Sequence, residues 1–100
     1  MNVKLWIAAL KHNTWMAVRN KLTHYQDVDG DAYLPSDRMI LEGYHPRMWA
    51  ENAQYHYHDS ACYSLQGWVI SKGHHENLLR TSVSEIGASL LPYFNGMDIP

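Results

Sequence analysis

Between Gly67 and Gly87 an apolar run, Trp68-Val69-Ile70, is followed by Ser71-Lys72-Gly73, two adjacent histidines and a small apolar tail, Glu85-Ile86-Gly87-Ala88. The apolar run needs burial, and glycine tolerates the left-handed conformation that closes a helix. The stretch therefore reads as a helix end, a turn at Lys72-Gly73 presenting His74, a helical turn at Asn77-Leu78-Leu79, and a strand. The residues before it build the pocket into which His74 points.

At 100 residues the chain is one domain, residues 1–100, with mass for a modest core. Its formal charge of −2 is spread over scattered acids and bases, so it lacks the basic footprint of a nucleic-acid binder. Cys62 stands alone, which excludes an internal disulfide, and reads as a small buried hydrophobe. Leu5 to Leu10 is shorter than a signal-peptide core and no small-residue cleavage site follows it. No stretch approaches the roughly 20 apolar residues of a membrane span.

Leu5, Ala8, Ala9, His12, Trp15, Met16 and Arg19 recur at steps of three and four, which predicts a helix from Val3 to Lys21. Ser36 is set to cap a second helix, Asp37 to Glu42, closed by Gly43. Tyr44 to Tyr55 reads as irregular, with a short extended piece at Ala50 to Gln54. Asp59 or Ser60 is expected to cap a third helix reaching Ser71, with Ala61, Leu65, Trp68 and Val69 on one face. Ser84 to Leu91 reads as a strand, and Asn95-Gly96 signals a hairpin turn.

Asp27-Val28-Asp29-Gly30-Asp31 invites a calcium-loop reading, but Gly30 falls fourth and Arg38 twelfth, where an EF-hand wants Gly sixth and Glu twelfth. A solvated turn is the better reading. His75-Glu76 opens like a zinc-protease helix, yet Leu79 stands where the second histidine must be. His56 and His58 share a face only in extended chain. His24, Glu51 and His74 remain, all at element ends. Two imidazoles and a carboxylate meeting in a cleft would form a divalent-metal or acid–base site. Three polar loop residues are more often simply solvated.

The order of these residues resembles the CAP superfamily of cysteine-rich secretory proteins, antigen 5 and pathogenesis-related proteins, in its bacterial form. Trp15-Met16-Ala17 with Leu22-Thr23-His24-Tyr25 is similar to the family's helix and first histidine. Asp29-Gly30, Pro35-Ser36-Asp37-Arg38 and Gly43-Tyr44 resemble the next loop and helix. Ala50-Glu51-Asn52 stands where the family writes Gly-Glu-Asn. Trp68, Ser71, Gly73-His74 and Asn77-Leu78-Leu79 resemble its Trp-x-x-Ser-x-Gly-His-x-x-Asn signature, and Glu85-Ile86-Gly87 its Glu-hydrophobic-Gly strand.

The resemblance implies an α+β fold, an α-β-α sandwich with a surface cleft. His24 and His74 match the two cleft histidines and Glu51 the first cleft glutamate; Ser71 stands where many members carry a second. The family's first helix and last strand have no counterpart here, so the resemblance describes a domain truncated at both ends, with exposed edges that favour self-association. It also implies an extracellular location.

Two histidines are a thin ligand set, so the expected metal is weakly held, exchangeable zinc on His24 and His74, helped by Glu51. The leading expectation is a non-enzymatic binding module for a lipid or sterol, a metal ion or a protein partner. The alternative is a metal-assisted hydrolase in which Glu51 takes a proton from metal-bound water. A remnant without activity is a third.

Overall fold

The computed structural model describes residues 1–27, 30–54 and 61–91. Four α-helices run through them: α1 (Val3–Arg19), α2 (Pro35–Leu41), α3 (Ala61–Ile70) and α4 (Lys72–Leu78); a 3-10 turn, Gly30–Ala32, precedes α2. No strand occurs among the described residues. The expected α+β sandwich is therefore corrected to an all-helical arrangement over this part of the chain. The Asn95-Gly96 turn, His56, His58, Asp59 and Ser60 lie outside the described residues, as do Val28 and Asp29.

α1 forms where the apolar period predicts it and ends two residues early. The Asn2 side chain accepts the Leu5 N–H at 3.1 Å, satisfying one of the orphan donors of the first turn. At the other end Asn20 adopts φ 51°, ψ 49°. Its N–H reaches the Ala17 carbonyl and the Lys21 N–H reaches that of Met16, a Schellman closure. The inward face carries Leu5, Ala8, His12 and Trp15, all buried. Arg19 lies over the Trp15 ring at 4.3 Å and covers its outer face.

α2 starts earlier than the sequence suggests. Pro35 sits in its first turn, where a missing N–H costs nothing. Asp37, and not Ser36, serves the end, its carboxylate accepting the Leu34 N–H at 3.0 Å. Gly43 closes the helix at φ 86°, as expected. Its N–H and that of Tyr44 return to the carbonyls of Ile40 and Met39.

The C-terminal half departs further. Gly73 does not break a helix: it lies within α4, outside the left-handed region. The interruption is at Ser71, whose φ −96° and ψ 121° are extended. Along α3 the buried residue is Ser64, with Trp68 half-buried, while Leu65 and Val69 stay exposed. Cys62, expected inside, is exposed.

Residues 84–91, expected as a strand, run along α1. Ile86 accepts the Asn2 N–H at 2.8 Å and Ser89 accepts from the Asn13 side chain at 3.0 Å. A strand needs a neighbour with free backbone groups, and a helix has spent its own internally. Gly87 permits the close approach, because a Cβ there would collide with the backbone at Leu5 and Trp6.

Candidate functional site

The described residues with the densest polar bonding surround Arg38. Its side chain is buried although it carries a full charge, so every donor has to be matched. Nη1 donates to the carbonyls of Ala32 and Tyr33, each at 3.1 Å. Nη2 donates to the His24 carbonyl at 3.0 Å and to Glu51 Oε2 at 2.9 Å. The second oxygen of Glu51 accepts from His24 Nδ1 at 2.8 Å. One guanidinium thus ties the 3-10 turn, the loop after α1 and the Glu51 segment together.

His12 holds the same loop from below. Only 3% exposed, it donates from Nε2 to the Thr23 carbonyl at 2.7 Å. Its Nδ1 lies 2.9 Å from the Gln26 side-chain amide. Gln26 is buried too, and its N–H reaches the Tyr33 carbonyl at 3.1 Å. Tyr25 and Tyr33 stack at 5.3 Å. His24 therefore stands on a loop whose backbone is fixed on both sides.

The next residue after Glu51, Asn52, turns the other way. Its side chain donates to the His74 carbonyl at 3.1 Å and accepts from Asn77 at 2.9 Å. Arg80 Nε then reaches Asn77 Oδ1 at 2.9 Å. Glu51 and Asn52 thus couple the N-terminal network to α4.

Of the three sequence-predicted residues, His24 and Glu51 are brought into direct contact. His74 is joined to their neighbourhood through its backbone carbonyl and Asn52, and no hydrogen bond links its ring to either. Among the described residues no group of three or more His, Cys, Asp and Glu could hold a metal ion. The zinc expectation gains no donor set there. Glu51 already has both oxygens engaged, by an imidazole and a guanidinium, which is the opposite of a carboxylate held ready for a cation.

Arg38 and His12 are the residues that the sequence did not single out as a site. His12 carried a usable signal: a polar residue in the middle of an apolar helix face must find buried hydrogen-bond partners. Arg38 carried only its place beside a helix start.

Beside the network opens a groove of about 1120 Å³. It is lined by the α1 face from Leu5 to Ala17, by residues 44–54 and 82–91, and by Trp68. Arg38, Glu51 and Asn52 line it, whereas His24 and His74 do not. Glu85, within residues 82–91, accepts from Asn2 Nδ2 and the Tyr44 hydroxyl, each at 2.9 Å. These bonds, chiefly that from Asn2, hold its carboxyl below the ordinary carboxylate value, and the same contact raises that of Tyr44.

No helix in the described residues is long and apolar enough to cross a membrane. Neither a family model, a curated protein nor a solved structure matches this chain.

Proposed function

We propose that the chain is a binding module of the CAP type, taking an apolar or polypeptide ligand into the groove beside Glu51. One observation carries this reading: both carboxylate oxygens of Glu51 are engaged, one by His24 and one by Arg38, at the edge of an open groove. A charge held this way keeps its place, which suits recognition. It does not suit a base that must be free to accept a proton in each turnover. The kinship rests on the ordered residue series around His24, Glu51 and His74, and the contact between the first two supports it.

The groove suits a ligand with an apolar body. Leu5, Ala8, Met16, Met48, Trp49 and Trp68 line it, the mixed apolar lining common in ligand sites. The test is fluorescence titration with a dansylated fatty acid and with a fluorescent sterol, reading Trp quenching in wild type and Trp49→Ala. Saturable quenching that weakens several-fold in the variant supports the module. Linear, non-saturating quenching in both proteins contradicts it.

A hydrolytic reading has one observation in its favour. Glu51 holds His24 through Nδ1 and leaves Nε2 without a partner among the described residues, the orientation of a general base held by a carboxylate. Ester or peptide turnover that disappears in both His24→Ala and Glu51→Gln would move the assignment to that class.

A further inference from the structure

Helix α3 is apolar on more than the side it buries. At about 100° per residue, Ser64 and Trp68 fall on its inward side, and both line the groove. An arc of about 160° on the other side runs through Leu65, Val69, Cys62, Gln66, Ile70 and Tyr63, and all six are exposed. Ile70 is 86% exposed, and Tyr63, Leu65 and Val69 are each more than two-fifths exposed. Ala61–Ile70 contains no charged residue. A surface helix turns charged side chains to water, and one that is apolar all round is normally covered. The exposed face is on the order of 500 Å² on this one helix, at the upper end of what a monomer leaves in a single patch. Two such faces together come to about 1,000 Å², where specific interfaces begin.

The chemistry of the face narrows what covers it. Cys62 and Gln66 lie at the middle of the arc. A glutamine amide offers donor and acceptor alike, so it can bond its own copy across a twofold axis. With no charge on the helix, two copies bring no like charges together. A lipid surface is a poorer match. Residues 61–80 carry Lys72 and Arg80 against Glu76, far from the Lys- and Arg-rich face with which an interfacial helix holds headgroups.

We propose that the outward face of α3 pairs with the same face of a second copy of this chain, making a twofold dimer with Gln66 near its axis. None of the six residues lines the groove, so the pairing does not draw on it and stands independently of what the groove binds. An interface of this size belongs to the weak class, with a Kd on the order of 10 µM. At lower concentrations the chain is monomeric and the face stands in water.

The test is sedimentation velocity from about 1 to about 300 µM, a range that brackets this Kd, on wild type, Gln66→Glu, Gln66→Lys and an equimolar mixture of the two variants. Wild type should pass from monomer to dimer across the range. Each variant alone sets like charges against each other across the axis and should need at least tenfold higher concentration to dimerise; the mixture should recover dimerisation. Gln66 is exposed, so far-ultraviolet circular dichroism of both variants should match wild type. As a second readout, alkylation of Cys62, the single cysteine, should slow several-fold at the highest concentration in wild type and in neither variant. Wild type that stays monomeric, association indifferent to both charges, a mixture no better than its parts, or Cys62 alkylation equally fast at both ends of the range overturns the proposal. A chain that is monomeric in solution yet sediments with phosphatidylserine vesicles, and loses this in Gln66→Glu, would give the face to a lipid surface and overturn it too.

Discussion

The two halves of the molecule are built by different means. From α1 to Glu51 the chain is cross-linked by buried polar groups: His12, Gln26 and Arg38 are each under a tenth exposed and bonded to loop backbone. From α3 onward the bonding thins, and Ser64 is the one buried residue among those described, while Ile70 reaches 86% and Leu79 66% exposure. The first half has a fixed shape that can hold a charge. The second is attached through contacts at Asn2, Asn13, Tyr44 and Asn52, and it lies more open to solvent. Recognition belongs at the seam between them.

The largest effect that can break this comparison is loss of the guanidinium. Arg38→Ala leaves Glu51 Oε2 and the Ala32 and His24 carbonyls without their donor and the Tyr33 carbonyl with one of its two, and should cost about 3 kcal/mol in urea unfolding. Ile70→Ala, in the other half, should change stability by no more than about 0.5 kcal/mol. Equal costs would erase the distinction between the halves.

Next comes the attachment of the second half. Gly87→Ala places a methyl group against the backbone of Leu5 and Trp6, so residues 84–91 must lift away. A cost of about 2 kcal/mol is expected, with faster exchange of the Trp6 and Leu5 amides by NMR. An unchanged exchange pattern would show that this segment does not lie on α1. Gly73→Ala should act in the opposite direction. Gly73 is helical, and nothing beyond its own helix lies within 4 Å of the place a methyl group would take, so the substitution should stabilise by about 0.5–1 kcal/mol.

The smallest expected effect is that of pH. Glu85 has its folded value below its ordinary 4.5, so its contribution is present above that value and fades as pH falls through the depressed one. Tyr44 is raised above 10.0; its contribution holds below its ordinary value and is lost as pH rises through the raised one. Asn2 and Tyr44 resonances should therefore report a contact that is intact between these limits and opens at either end. Glu85→Gln should remove both transitions.

What was legible in the sequence was local. The period of Leu5, Ala8, His12 and Trp15 marked α1, and Gly43 marked the end of α2 through its positive φ. Residues 84–91 show why texture is not enough: small, β-prone residues promise an extended chain, while a sheet also needs a partner strand, which lies beyond what a local pattern can report. Gly73 misled for a related reason, because glycine permits a left-handed turn without requiring one. Within the site, His24 and Glu51 stand in contact, while His74 is reached only through its carbonyl and Asn52. Arg38 stayed hidden, since an arginine in a helix normally faces water and only the tertiary structure reveals four acceptors around it.

The most direct measurement is the imidazole ¹⁵N spectrum of His24 in wild type and in Glu51→Gln, with exposed His45 as internal reference. A carboxylate at Nδ1 requires the proton there, so the wild-type ring should show an Nδ1–H pattern that changes on substitution while His45 stays unchanged. A His24 ring protonated at Nε2, with a spectrum indifferent to residue 51, would contradict the fixed Glu51 on which the proposed function depends.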